Sequence, residues 1–143
     1  MNLLLYINGL NGAGIRLQRV IETGISKDRI EVYRDVVSLT HRLRRPRIDL
    51  DIAVLLVSSR EDLEAILSIV ELFFDLRVIL ILPDREKETI SKGHKLYPRY
   101  LSYVDGDFSD VAAVLKKMLG HLQANTKQHE GGELDGGINR GNE

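Results

Sequence analysis

A chain of 143 residues with a formal net charge of −1 is one domain of ordinary size, long enough to bury a core without covalent staples. It has no cysteine, which excludes a disulfide framework, a thiolate nucleophile and a Cys-ligated metal. No apolar run approaches the roughly 20 residues of a membrane span, and the first residues lack the basic segment of a signal peptide, so a cytoplasmic protein without membrane contact is expected.

Residues 3–7 read as a first, wholly apolar strand. The loop Asn8-Gly-Leu-Asn-Gly-Ala-Gly14 follows, and then a helix from about residue 15 to 23 with Leu17, Val20 and Ile21 on one face. Residues 30–33 form the second strand, and Asp35 is placed to cap a helix over residues 36–44 that Pro46 ends. That helix is expected to turn Val36, Thr40 and Leu43 inward. The third and most apolar strand covers residues 52–57. Ser58-Ser-Arg-Glu61 and Ser59-Arg-Glu-Asp62 both have capping-box form, so a helix starts there. It is expected to run to about residue 74, with Leu63, Ile66, Leu67, Val70 and Phe74 inward and Ile69, Leu72 and Phe73 beyond that stripe. Residues 78–82 are the fourth strand, closed by Pro83. Residues 84–97 make a weak helix with one apolar anchor, Ile90, and an internal Gly93. Residues 100–104 are the fifth strand, and Ser109 caps a last helix to about residue 119. Residues 120–143 are polar and Gly-rich, too poor in apolar groups to offset their ordering entropy, and are expected to be a flexible tail on a domain of residues 1–119.

Strands buried on both faces read as unbroken Val/Ile/Leu runs, and parallel strands need helical crossovers. The pattern therefore predicts the α/β class: a doubly wound five-stranded parallel sheet of order 2-1-3-4-5, a flavodoxin-like three-layer sandwich. Ligands of such sheets bind past the carboxyl ends of the strands, at the switch point between strands 1 and 3.

Those ends carry few chemical groups. Gly9, Gly12 and Gly14 form a candidate phosphate-binding loop, although their spacing matches neither a dinucleotide fingerprint nor a P-loop. A tight strand-to-helix turn is the expected role. Ser58 and Ser59 end the central strand, but a serine nucleophile needs a positioned base. The histidines, His41, His94, His121 and His129, stand at no strand end, so capping is expected there too. Asp84, Asp105 and Asp107 are candidate oxygens for a divalent cation, with turn chemistry the expected role; no metal and no cofactor is expected. The basic run Arg42-Leu-Arg-Arg-Pro-Arg47 has no interleaved aromatics, so nucleic acid is not the expected partner. Charge is uneven along the chain: residues 1–48 carry nine Lys and Arg against four acids, and residues 49–90 carry four against ten. Such polarity can favour head-to-tail association.

The βα order, the element lengths and the stretch Tyr103-Val-Asp-Gly-Asp-Phe-Ser-Asp-Val-Ala-Ala-Val-Leu-Lys-Lys-Met-Leu119 resemble the receiver domain of bacterial response regulators over residues 1–119. The resemblance implies a pair of Mg²⁺-binding acids after strand 1, where Asn8 and Gly9 stand. It implies a phosphoacceptor Asp at the end of strand 3, where Ser58 and Ser59 stand. A Ser or Thr after strand 4 is matched by Leu82 or Pro83, and a Lys-Pro pair after strand 5 by Asp105-Gly106. Every one of these positions departs from the pattern. The resemblance thus implies a pseudo-receiver, not an enzyme, that acts through protein contacts in signalling. Ile69, Leu72 and Phe73 are the expected interface, with a homodimer or another protein as the partner. The alternative is a small α/β protein that binds a phosphate-containing ligand or nucleotide at the Gly-rich loop.

Overall fold

All five apolar runs form strands of one parallel sheet in the order β2-β1-β3-β4-β5. The computed structural model describes residues 2–8, 12–46 and 48–131, with side chains as far as Leu122. The elements are β1 (Asn2–Ile7), α1 (Gly12–Glu22), β2 (Ile30–Tyr33), α2 (Val36–Arg44), β3 (Leu50–Leu56), α3 (Arg60–Leu67), β4 (Arg77–Leu82), α4 (Lys87–Gly93), β5 (Tyr100–Tyr103) and α5 (Ser109–Gly131). Short 3-10 helices stand at Lys27–Arg29, Val70–Phe73 and His94–Leu96. No helix among the described residues is long and apolar enough to cross a membrane. The described residues divide into two units between Val111 and Ala112, within α5.

The three inner strands are buried on both faces. Leu3, Leu4, Leu5 and Tyr6 of β1 are fully buried, as are Ile52–Leu55 of β3 and Ile79–Leu82 of β4 in all but traces. Alternate residues serve alternate faces. Leu4, Tyr6, Leu55, Leu80 and Leu82 join one cluster with Leu39, Leu63 and Ile66 from α2 and α3. Leu3, Leu5 and Ile7 point to the other face, and Leu17 and Ile21 of α1 are buried as well. Helix α4 comes close to the sheet at Gly93, where a β-carbon would stand 3.1 Å from Leu80 Cδ2 and 3.3 Å from Leu82 Cδ2. The glycine that weakens this helix is what lets it lie against β4.

Four expectations are corrected. Helix α1 starts at Gly12, not near residue 15, so Gly12 and Gly14 belong to its first turn. The first amides of a helix need no partner four residues back, and Ala13 is a strong helix former, so the turn tolerates two glycines. In α2 Leu43 is buried as expected, but it is joined by Leu39 and Arg42, while Val36 packs against the core only in part and Thr40 is half-buried.

The third helix ends at Leu67. Ser68 closes it, with its Oγ donating to the Ala65 carbonyl at 2.5 Å, and the chain resumes in the tighter 3-10 winding. That change of period turns Phe73 inward, at 2% exposure, and Phe74 outward, at 66%. Phe73 is therefore core and not a surface residue, while Ile69 and Leu72 pack against the core in part.

Helix α5 continues past residue 119 to Gly131. A lone Gly120 costs a helix only about 1 kcal/mol against alanine, and no proline follows it. The expected tail is thus helical over residues 120–131, and residues 132–143 lie outside the described residues.

Candidate functional site at the carboxyl edge of the sheet

The junction after β3 is built around a carboxylate. Val57 makes one last ladder bond, to the Ile81 carbonyl at 3.0 Å, and the apolar run then gives way to Ser58-Ser59. Ser59 caps α3 as expected: its Oγ accepts from the Asp62 amide at 3.1 Å. Asp62 answers with its side chain, but one residue further back than a capping box would place it. Its Oδ2 accepts from the Ser58 amide at 3.1 Å and from Ser58 Oγ at 3.4 Å. The other oxygen, Oδ1, accepts from the Tyr6 hydroxyl at 2.6 Å. Asp62 is 5% exposed and Tyr6 fully buried. Burial, then the bond to Asp62 and its negative charge, push the Tyr6 hydroxyl far above its ordinary value. Tyr6 is therefore a fixed donor. The bridge joins β1 and α3 directly over the switch point.

The next gap along the edge is crossed by Arg60, the first residue of α3. Its Nε donates to Thr89 Oγ1 at 3.1 Å, its Nη1 pairs with Glu88 at 3.3 Å, and its Nη2 pairs with Glu86. Asp84 accepts from the Glu86 amide at 2.9 Å, which helps hold its carboxyl below the usual carboxylate range. The last gap is crossed by Arg85, which pairs with Asp105 and stacks 4.2 Å from the centre of the Tyr103 ring. Beyond it, Asp107 accepts from the Ser109 amide at 3.0 Å and from Ser109 Oγ at 2.8 Å. Arg16 of α1 reaches the carbonyls of Val104 and Gly106 at 3.3 and 3.4 Å and lies over the Phe108 ring.

The residues singled out in the sequence are thus dispersed. Asp84, Asp105 and Asp107 each serve a local partner, and among the described residues no three His, Asp or Glu side chains gather to hold a metal ion. Asn8 follows β1, Gly9 lies outside the described residues, and Pro83 is partly buried at the end of β4. Ser58 has a carboxylate neighbour, Asp62, but no histidine among its hydrogen-bond partners in the described residues. The partners that organise the edge, Tyr6, Asp62, Arg60 and Arg85, are read in the sequence only as apolar strand, helix cap or surface charge. A tyrosine inside a fully apolar strand was the one available signal for the buried donor.

The basic run is also remade. Arg42 is 6% exposed. Its Nε donates to Glu31 Oε1 at 2.6 Å, and its Nη2 donates to Oε2 at 3.1 Å. This two-point pair ties α2 to β2. The hydrogen bond from Arg42, together with one from Tyr33, outweighs burial and holds the Glu31 carboxyl low. A group whose folded value is depressed stabilises fully above its unfolded value, about 4.3 for Glu, and loses that contribution as pH falls through the folded value. The stability gap between wild type and Glu31→Gln, measured by urea midpoints, should shrink as pH drops from about 5 towards 2.5. A gap that stays constant over that range would contradict the pairing.

No protein-family model matches the chain, and no curated protein does. Solved structures do. A response regulator from Thermotoga maritima superposes with a TM-score of 0.58 at 17% identity, over 84% of this chain and 98% of its own. The RcsB response regulator of Salmonella typhimurium, whose crystal form is described for its conformational dynamism for DNA interaction, superposes with a TM-score of 0.57 at 20% identity. That match spans 87% of this chain and 60% of RcsB. The fold is receiver-like. On this receiver-like sheet the three polar bridges line the edge where ligands of such folds bind.

Proposed function

We propose that this chain is a degenerate receiver: a phosphorylation-independent module, without catalytic activity, that works in signalling or regulation by binding another protein. The observation that carries the reading is the state of the β3–α3 junction. Phosphoryl transfer to a receiver needs an accessible carboxylate, a metal held by neighbouring acids and a cation to neutralise the product. Here a serine, Ser58, ends the central strand, and the nearest carboxylate, Asp62, is buried and committed to Tyr6 and Ser58. Asp105 stands where the cation would be, paired with Arg85.

Amide NMR of the full chain with beryllofluoride and Mg²⁺ tests this. Peaks of Ser58, Ser59 and Asp62 should not move beyond the effect of ionic strength. Saturable, Mg²⁺-dependent shifts at Ser58 would overturn the proposal. Saturable shifts at Gly12 and Gly14 with a nucleotide would replace it with a ligand-binding function for the loop before α1.

A further inference from the structure

Phe74 and Tyr97 stand in water, 66% and 77% exposed. Their rings touch edge to face, with centroids 6.2 Å apart and planes at 71°. Ile15, Val37 and Ile48, also exposed, lie on α1, on α2 and in the α2–β3 connection. The aromatic pair instead frames a groove of about 380 Å³ whose other walls are Phe73, Leu76 and Leu96. Both rings follow 3-10 turns that lead into β4 and β5, so the groove lies by the amino ends of those strands, away from the bridged carboxyl edge. Tyr97 has φ 51° and ψ 51°, a left-handed backbone that a non-glycine residue adopts at a cost. Strain held at an exposed aromatic is a reason to look for function there.

The rim of the groove says what fits it. In sequence, the exposed Glu71 stands one turn before Phe74, and the exposed His94, Lys95 and Arg99 stand within three residues of Tyr97. One side is acidic and the other basic. A two-fold axis that runs between the two sides, perpendicular to the line joining them, sets each acidic side against the basic side of the other copy. A second copy of this chain carries the matching polarity by construction.

We propose that this groove seats a second copy, in an isologous homodimer in which the Phe74 and Tyr97 rings of each protomer cover the groove of the other. The inference rests on the interaction-module reading above and names a partner for it. Two aromatic rings and a charged rim make a patch at the low end of specific interfaces, so the association is weak and depends on concentration.

Sedimentation equilibrium of the full chain, up to several hundred micromolar, is the test. Wild type should reach a dimer and stop there. Tyr97→Gly should be monomeric over the same range with an undiminished urea midpoint, because glycine adopts the left-handed backbone freely. Glu71→Lys and Lys95→Glu should each self-associate less than wild type, and an equimolar mixture of the two should associate again, since each new charge then meets its opposite across the two-fold. A monomeric wild type, a dimer indifferent to Tyr97→Gly, or a mixture that fails to associate would overturn the proposal. A monomeric wild type would leave the degenerate-receiver reading standing. Mg²⁺-dependent shifts at Ser58 would remove that reading without altering the sedimentation.

Discussion

Phe108→Ala should cost about 4 kcal/mol of folding stability, and Phe108→Gly should cost about 1 kcal/mol less. The order is the reverse of the usual one, in which glycine is the worse replacement. Phe108 is fully buried, and Arg16 lies over its ring at 5.4 Å from the centroid. Removing the ring leaves a cavity and strips Arg16 of its support. Yet Phe108 has φ 66°, which an alanine must also adopt and a glycine adopts freely. Urea denaturation of the three proteins reads both effects. Equal stabilities for the alanine and glycine variants would mean that the left-handed backbone carries no cost. A loss under about 1 kcal/mol for either would mean that the ring is not part of the core.

Asp62→Ala should cost about 3 kcal/mol, because it leaves the buried Tyr6 hydroxyl and the Ser58 amide without acceptors. Tyr6→Phe removes one donor and keeps the ring, so about 1–2 kcal/mol is expected. The double variant should cost clearly less than the two losses together, since the missing bond is shared and neither partner remains to be left unpaired. Strict additivity would show that the 2.6 Å bond contributes nothing. Asp62→Asn adds a sharper reading: the amide oxygen can still accept from Tyr6, so the loss should fall between wild type and alanine.

The five strands are legible in the sequence because β1, β3 and β4 are buried on both faces and tolerate almost nothing but Leu, Ile and Val. The caps at Asp35 and Ser59 are legible because a side-chain oxygen three residues before an amide is a local arrangement. What is hidden is non-local. Arg42 reads as one cation in a basic run because its partner Glu31 lies on a different element, eleven residues away. Asp62 reads as a cap residue because nothing near it announces that Tyr6, 56 residues earlier, ends beneath it. Phe73 and Phe74 exchange places because the helical period does not continue across Ser68, where the winding tightens. Apolar periodicity shows that one of the two rings is inside. Only the turn before them decides which.

The two outer strands, β2 and β5, have four residues each, against six, seven and six for the strands between them. An edge strand offers unpaired amides and carbonyls to any other chain, and a short one gives little length on which to template a fibril. The contrast matters for a chain whose inner strands are as apolar as amyloid-forming segments. Those strands are shielded on both flanks by brief, partly polar ones, with Glu31 and its arginine on one side and Ser102 on the other. Concentrated solutions of this protein should therefore scatter as small reversible species, without the thioflavin-positive aggregates that its central strands would form as isolated peptides.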